Sequence, residues 1–243
     1  MNEAYSALSK VYEYLICDCD YRKWSQYLLK RLREFSEYGS VVDCACGSGY
    51  FTRAIKRAGY SVTGVDLSCE MLAEAGRLSS AEGLKIPYIQ GDMANLKVFE
   101  KVDFITVVND GINYVSPEKI PKVFNSFRKA LKNGGRLLFD FSSEYKIKNV
   151  IGNNLFGEDD ENCSYLWFNR QGDGYVDMDI VLFLRNGEYF VKKEESHRQF
   201  AHTSDFIRVQ LENAGFIVEE ISGHLGEKVA DNTERLNFIA KKA

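Results

Sequence analysis

The stretch that decides the fold is VVDCACGSGYFT, which occupies residues 41–52. It begins as an apolar strand, passes through a glycine-containing loop and continues as a helix. Such a loop lets the backbone approach a ligand at a helix N-terminus, where negative charge is favoured. Dinucleotide-binding proteins carry G-x-G-x-x-G at this place, but Thr52 stands here where the third glycine would be. Asp43 is also near the strand end, and a carboxylate there suits an ammonium group better than a pyrophosphate.

A second acidic residue ends the next strand. The segment YSVTGVD runs from residue 60 to Asp66, which lies seventeen positions beyond Gly49. A carboxylate at this place can accept hydrogen bonds from both hydroxyl groups of a ribose. Ser68 follows, and its hydroxyl can cap a helix that we expect to run to about residue 81.

Strands and helices alternate outward from these segments. Five apolar strand patterns occur between residues 40 and 141, with helical patterns between them. Five βα units in sequence predict a parallel sheet with helices on both faces. We expect the helix before the fifth strand to end at Asn133-Gly134-Gly135, because glycine commonly terminates a helix.

The pattern changes in the C-terminal half. Residues 163–200 read as strands without intervening helices, and Asn186-Gly187 between two of them is a strong hairpin signal. A helix is predicted over 203–214, followed by strands over 216–222 and 235–240. We therefore expect an antiparallel insertion in an otherwise parallel sheet.

The composition excludes several classes of protein. The 243 residues carry a net charge of −4, which argues against a surface that follows a nucleic-acid backbone. No apolar run approaches the ~18 residues that span a bilayer. The N-terminus lacks the basic and apolar regions of an export signal, so we expect a cytoplasmic protein without membrane association. The six cysteines read as free thiols, and no metal site is expected because no histidine or second pair stands at ligand spacing.

Five segments in order resemble the motifs of class I S-adenosylmethionine-dependent methyltransferases. They are VVDCACGSGYFT for the glycine motif, GVDLSCEML for the second motif, IQGDMANL for the third, VDFITVVND for the fourth strand and LKNGGRLLFDF for the fifth. FIVEEIS and RLNFIAKK resemble the antiparallel end of the family's sheet. The resemblance covers about residues 39–141 and 203–241. It implies a methyltransferase that uses S-adenosyl-L-methionine and releases S-adenosyl-L-homocysteine.

The resemblance also implies an architecture. The expected fold is α/β, with a seven-stranded, doubly wound mixed sheet of the Rossmann-like type. Residues 1–38 would form N-terminal lid helices, 39–155 and 201–243 the cofactor-binding domain, and 156–200 an antiparallel β insertion that covers the acceptor. One departure is Ala45, because the family's loop usually begins with glycine at this position.

Roles for individual residues follow from the same resemblance. Asp43 and the loop would hold the methionine part of the cofactor, Asp66 its ribose, and Asn109 would lie beside the reactive methyl group. Aromatic residues of the N-terminal lid helices would close over the cofactor. Met71 can alternatively be plain helix core, and Asp92 a turn residue. The complete set of expected cofactor-binding residues is Tyr5, Tyr12, Trp24, Asp43, Ala45, Cys46, Gly47, Gly49, Asp66, Leu67, Met71, Asp92, Met93 and Asn109.

A required catalytic residue is hard to identify from this sequence. Methyl transfer is an in-line displacement at an activated carbon, so the protein mainly positions the reactants and excludes water. A base is needed only if the acceptor loses a proton early. The candidates are His197, His202 and Tyr12, and a structural role for either histidine is the alternative.

The aromatic residues point to a small-molecule acceptor. Residues 1–38 and 156–206 hold 18 of the 32 aromatics, and the second segment carries a net charge of −6. An acidic, aromatic cover suits a cationic or amine-bearing small molecule, although solvated strand faces explain the charge equally well. The motif that directly follows Asn109, residues 110–114, contains no proline, which disfavours a DNA-base acceptor. A homodimer is a further expectation. We expect the acceptor pocket to be lined by some of the aromatic residues Tyr12, Trp24, Tyr165, Trp167 and Phe183.

Two other functions compete with this hypothesis. One is a nicotinamide-dependent oxidoreductase, which Asp43 and the missing third glycine disfavour. The other is a non-catalytic partner subunit that binds the cofactor and uses its hairpins as a protein interface. Ala45 and the lack of an obvious base leave room for the second alternative.

Overall fold

A computed structural model describes residues 20–243 and confirms the expected α/β fold. The first half of the expected N-terminal lid, residues 1–19, lies outside this range. The helices are α1 Tyr21–Phe35, α2 Tyr50–Arg57, α3 Cys69–Ala81, α4 Ile120–Ala130 and α5 Ser204–Asn213. The strands are β1 Ser40–Cys44, β2 Ser61–Asp66, β3 Tyr88–Gln90, β4 Val102–Val107, β5 Leu131–Ser142, β6 Leu155–Glu158, β7 Cys163–Gln171, β8 Tyr175–Asn186, β9 Tyr189–Phe200, β10 Phe216–Ser222 and β11 Arg235–Lys242.

Seven strands form one mixed sheet in the order β10-β11-β5-β4-β1-β2-β3. Neighbours from β5 to β3 are parallel, whereas β11 runs antiparallel to both β5 and β10. The order reverses beside β1, so the segments that leave β1 and β4 turn to opposite faces of the sheet and a crevice forms between them, as in other doubly wound sheets. Ligands of open α/β sheets bind in such crevices.

Apolar helix faces cover the sheet on both sides. One core cluster joins α4 and α5 to the sheet through buried residues such as Phe124, Phe127 and Leu211. The other joins α1 and α2 through residues such as Leu32 and Ile55, neither of which is exposed. The apolar faces of these helices pack against the sheet and so fix the positions of the strands that border the crevice.

The ends of the helices follow local chemistry. The Ser68 hydroxyl accepts a hydrogen bond from the Met71 amide, as predicted, and Asp20 and Thr203 cap α1 and α5 in the same way. The expected end of α4 is wrong. Leu131 is already extended and fully buried, pairs with Val102 and starts β5 three residues before Gly134. Pairing with β4 takes Leu131 out of the helix, and the glycines lie in the irregular part of β5 where the register with β4 shifts.

The antiparallel insertion is a separate four-stranded sheet in the order β6-β7-β8-β9. Asn186 and Gly187 connect β8 to β9, with Gly187 at φ 64°, as the hairpin signal predicts. Strand β6 and the π-helical turn Lys146–Ile151 have no counterpart in the sequence prediction. Within residues 20–243, no helix is long and apolar enough to cross a membrane.

Candidate active site

A cavity of about 490 Å³ opens at the carboxyl ends of β1, β2 and β4. It lies where the strand order reverses, which is the usual ligand position in open α/β sheets. Two loops form much of its wall, and we call residues 45–49 the first loop and residues 109–114 the second loop. The lining residues are Tyr21, Ala45, Cys46, Gly47, Ser48, Tyr50, Phe51, Asp66, Leu67, Ser68, Met71, Gln90, Gly91, Met93, Val108, Asn109, Gly111 and Tyr114.

The first loop is built from left-handed residues. Ala45, Gly47 and Gly49 have φ angles of 51°, 54° and 80°. Glycine adopts such angles readily, whereas alanine does so only at a cost. Gly49 is also needed for space, because a Cβ atom there would lie 2.5 Å from the Tyr88 hydroxyl oxygen. The loop therefore turns tightly enough to bring its backbone to the cavity wall.

Asp66 ties the first loop to β2. Its carboxylate accepts hydrogen bonds from the Gly47 amide at 2.8 Å and from the Ser68 amide at 3.0 Å. Burial raises the pKa of Asp66, and the amides of Ser68, Gly47 and Leu67 partly offset that rise. The side chain lines the cavity, so its remaining acceptor capacity is available to ligand hydroxyl groups.

Asp43 lies beneath the cavity wall and is absent from the lining. It is 2% exposed, and its two oxygens accept hydrogen bonds from the Thr106 hydroxyl at 2.6 Å and the Thr52 hydroxyl at 2.5 Å. Burial raises the pKa of Asp43 to about 6, although both threonines lower it. The carboxylate therefore contributes a buried negative potential below the first loop rather than a contact to the lining.

The end of the cavity beside β2 and β3 is apolar. Met71 is 1% exposed and Leu67 is 66% exposed, and both line the cavity together with Met93. Met71 is therefore both helix core and cavity wall. Asp92 is absent from the lining, and its carboxylate accepts a hydrogen bond from the Ala94 amide at 2.8 Å, which is the turn role.

The second loop also contains left-handed residues, but neither is glycine. Asn109 and Asp110 have φ angles of 69° and 66°. Their amides donate to the two oxygens of Asp140, at 2.9 Å and 3.1 Å. The Asn109 side-chain amide donates to the Tyr21 hydroxyl at 2.8 Å. This bond joins the end of β4 to the start of α1 across the cavity rim.

Aromatic rings line the cavity near Asn109. The Tyr21 ring lies 5.0 Å from Tyr50 and 5.4 Å from Phe51, and Tyr114 belongs to the second loop. None of these four residues was identified from the sequence as part of the site. Tyr21 is separated from Trp24 by one helical turn, and position in the helix alone does not tell which of the two reaches the cavity.

Several expected site residues lie elsewhere. Trp24 is 3% exposed and packs against Phe51 and His224, outside the cavity lining. Gly49 is part of the first loop but does not line the cavity. The insertion aromatics Tyr165, Trp167 and Phe183 are also absent from the lining. Tyr5 and Tyr12 fall outside the described residues.

The two candidate histidines differ in their surroundings. His202 is buried, its Nε2–H donates to the Val115 carbonyl at 3.0 Å, and burial lowers its pKa. His197 is buried beside Glu195, with 3.1 Å between Nε2 and the carboxylate, and its ring packs edge-on against Tyr114. His197 is thus separated from the cavity by Tyr114, and His202 makes a structural hydrogen bond.

Comparisons with known proteins agree with this geometry. A family model described as a methyltransferase domain matches residues 41–135. A protein of Geobacillus sp. (strain WCH70) that is named as a methyltransferase is 31% identical over 98% of this chain and 99% of its own length. The structure of an S-adenosylmethionine-dependent methyltransferase from Clostridium acetobutylicum ATCC 824 is 32% identical, covers 98% of this chain and 99% of its own, and has a TM-score of 0.90.

A more distant structure shows the fold alone. It is an amino-pentose methyltransferase from Micromonospora echinaspora with S-adenosylmethionine bound, 16% identical, covering 94% of this chain and 97% of its own with a TM-score of 0.72. The near full-length relatives above 30% identity establish the family, and the cavity provides a carboxylate, backbone amides and an apolar wall that fit its cofactor. The chain is therefore a class I S-adenosylmethionine-dependent methyltransferase.

Proposed function

We propose that this enzyme methylates an amine group of a small molecule that enters the cavity beside Asn109. The observation that carries the proposal is the lining of that end, where Tyr21, Tyr50, Phe51 and Tyr114 present aromatic rings. No Lys or Arg occurs among the described lining residues. Aromatic faces attract cationic groups, and an anionic acceptor would find no partner of opposite charge there. An amine therefore fits better than a carboxylate or phosphate.

The size of the cavity supports a small acceptor. About 490 Å³ must accommodate the cofactor and the acceptor group together, which is within the range of ordinary small-molecule sites. The amino-pentose methyltransferase shares this fold, so the fold accommodates an amine-bearing substrate. A hydroxyl acceptor is the second candidate, because the Asn109 and Tyr21 polar groups can orient either atom.

In this proposal, one loop binds the cofactor and the other positions the acceptor. S-adenosylmethionine supplies a methyl group that is already activated for displacement. Asp66 would hold the ribose hydroxyls, and the first-loop backbone would face the methionine part. Asn109 and Tyr21 would orient the acceptor in line with the methyl group, and the aromatic wall excludes water. Of the two histidines, His197 lies nearer the proposed acceptor position, because its ring packs edge-on against Tyr114, whereas His202 donates to a carbonyl.

A transfer assay with labelled cofactor tests this proposal. S-adenosylmethionine carrying a tritiated methyl group would be incubated with separate panels of small amines, alcohols, carboxylates and phosphates, and with RNA and protein. We expect label on members of the amine panel. Label only on anions, RNA or protein would overturn the proposal. Asp66→Ala serves as the control, because it should abolish transfer to every acceptor at low cofactor concentration.

A further inference from the structure

The second loop holds an unfavourable backbone conformation. Asn109 and Asp110 are consecutive left-handed residues, and neither has the freedom of glycine. Such a pair persists only where the surrounding structure holds it. Because Asn109 lines the cavity, whatever holds this backbone also determines where its side chain lies.

Asp140 on β5 holds the backbone directly. Its two oxygens accept the Asn109 and Asp110 amides at 2.9 Å and 3.1 Å, and the residue is 2% exposed. The Asp110 carboxylate is partly buried close by, where it accepts a hydrogen bond from the Ser142 hydroxyl at 2.9 Å. A buried and a partly buried carboxylate side by side repel each other, so the arrangement requires a cation.

Arg235 at the start of β11 supplies that cation. Its Nη1 and Nη2 donate to the two oxygens of Asp110 at 2.7 Å and 3.0 Å, and Nη1 also donates to Asp140. Its guanidinium lies over the Trp24 ring, 4.5 Å from the centroid. Burial opposes ionisation of Asp110, but Arg235 holds the pKa of that carboxyl below its usual value. A planar guanidinium can pair two donors with one carboxylate and reach a second one, whereas an ammonium is a compact charge without this fixed two-donor geometry.

We propose that Arg235 is a positioning residue for methyl transfer, acting through Asp110 and Asp140 on Asn109. The last link is the 2.8 Å bond from the Asn109 side chain to the Tyr21 hydroxyl at the cavity wall. This inference rests on the proposed function, in which the acceptor lies beside Asn109. It assigns Trp24 a role as well, because that ring lies against the guanidinium behind the site.

A matched pair of variants separates positioning from ordinary structural support. Arg235→Lys keeps the charge but loses the paired Nη1 and Nη2 contact with Asp110 that is made together with the contact to Asp140. Arg136→Lys is the control, because Arg136 also binds a carboxylate through two bonds, to Glu219 at 2.7 Å and 3.1 Å, and stacks on Phe35. Its contacts are with β10 and α1, away from the cavity.

Three measurements would be made on both variants. They are cofactor affinity by calorimetry, hydrogen–deuterium exchange of the peptide spanning residues 108–115, and kcat and KM for an amine acceptor. For Arg235→Lys we expect the cofactor affinity to stay within about threefold of wild type. Hydrogen–deuterium exchange of the 108–115 peptide should be about tenfold faster, and kcat should be about tenfold lower. For Arg136→Lys we expect neither change.

Exchange in this peptide that matches wild type, or a kcat equal to that of Arg136→Lys, would overturn the proposal. If Arg235→Lys fails to fold, Asp110→Asn removes one carboxylate of the bridge and should give the same signature. If no acceptor class is methylated, the proposed function fails. The exchange comparison then still decides whether Arg235 holds the second loop.

Discussion

The first loop and the second loop both line the cavity and are held in place by different means. In the first loop, two of the three left-handed residues are glycines, and the bonds come from nearby backbone and from Asp66. In the second loop, both left-handed residues have side chains, and the bonds come from Asp140 and Arg235. The loops meet where Gly111 faces Ala45, since a Cβ on Gly111 would lie 2.9 Å from the Ala45 Cβ.

The difference shows how a fold can separate two tasks. The first loop, which we propose binds the cofactor, presents mainly backbone groups that do not depend on the surrounding side chains. The second loop, which we propose faces the acceptor, is held by side chains from β5 and β11 and can change with those strands. We infer that changes at Asp140 or Arg235 alter the acceptor end first, whereas changes at Asp66 or Gly49 alter cofactor binding or loop stability.

The largest expected effect concerns two carboxylates with opposite pKa shifts, the buried Asp43 and the partly buried Asp110. Burial raises the pKa of Asp43 to about 6, so its stabilising contribution is complete below pH ~4 and is lost as pH rises through 6. The free energy of unfolding of wild type relative to Asp43→Asn should therefore fall by about 3 kcal/mol across that range. Urea unfolding without cofactor measures the difference, and a constant difference from pH 4 to 7 would contradict it.

Asp110 provides the contrasting case. Arg235 outweighs burial and lowers its pKa, so its contribution is present above the unfolded pKa and is lost as pH falls below about 4. The same unfolding experiment on Asp110→Asn should thus show the opposite sign of pH dependence. If the free energy of unfolding changed with pH in the same direction for both variants, the distinction between a carboxylate with a buried cation and one without would be wrong.

The next effect is on cofactor affinity. Asp66→Ala removes the carboxylate that anchors Gly47 and is placed to accept the ribose hydroxyls. Loss of hydrogen bonds to a charged group should weaken S-adenosylmethionine binding by about 100-fold. Calorimetry measures it, with Glu70→Ala as control because Glu70 lies two residues beyond Ser68 and outside the lining. Similar losses in both variants would show that Asp66 acts only through local charge.

A smaller effect distinguishes space from backbone conformation in the first loop. Gly49→Ala places a Cβ 2.5 Å from the Tyr88 hydroxyl oxygen at φ 80°, and should lower the free energy of unfolding by about 2 kcal/mol. Gly47→Ala has φ 54° with no atom within 4 Å, and should cost about 1 kcal/mol. Thermal and urea unfolding measure both. Equal losses would mean that the Tyr88 contact relaxes without cost.

The smallest effect tests the link between the loops and α1. Tyr21→Phe removes the hydroxyl that accepts from Asn109, and should lower kcat by about fivefold with little change in cofactor affinity. Tyr27→Phe lies on the same helix outside the cavity and should change kcat less than about twofold. An unchanged kcat in Tyr21→Phe would show that Asn109 needs no orientation from α1.

The two loops also show how far the sequence alone could predict the site. Asp66 and the first-loop glycines were predictable because their motif is continuous in the chain. Asn109 was predictable as the end of β4, but Arg235 binds Asp110 across 125 positions and no local pattern connects them. The parallel part of the sheet followed from apolar periodicity, and the seven-stranded mixed sheet followed from the resemblance to the methyltransferase family. The end of α4 did not follow, because Leu131 leaves the helix to pair with Val102 before the glycines are reached.

The aromatic lid was predicted less well, for a geometric reason. A hairpin strand presents alternate side chains to opposite faces, and density of aromatics does not tell which face meets the cavity. Trp167 packs against Phe156 in its own sheet, with 5.7 Å between ring centroids, rather than lining the cavity. The family assignment, by contrast, makes the chain an enzyme and replaces the oxidoreductase and non-catalytic alternatives.

A crystal structure with S-adenosyl-L-homocysteine tests the central claim most directly, because it shows which loop holds which end of the cofactor. The account predicts ribose hydroxyls within hydrogen-bond distance of Asp66 and the sulfur facing Asn109. It also predicts space for an acceptor between the sulfur and the rings of Tyr21 and Tyr114. A ribose remote from Asp66, or an adenine occupying the Asn109 end of the cavity, would contradict it.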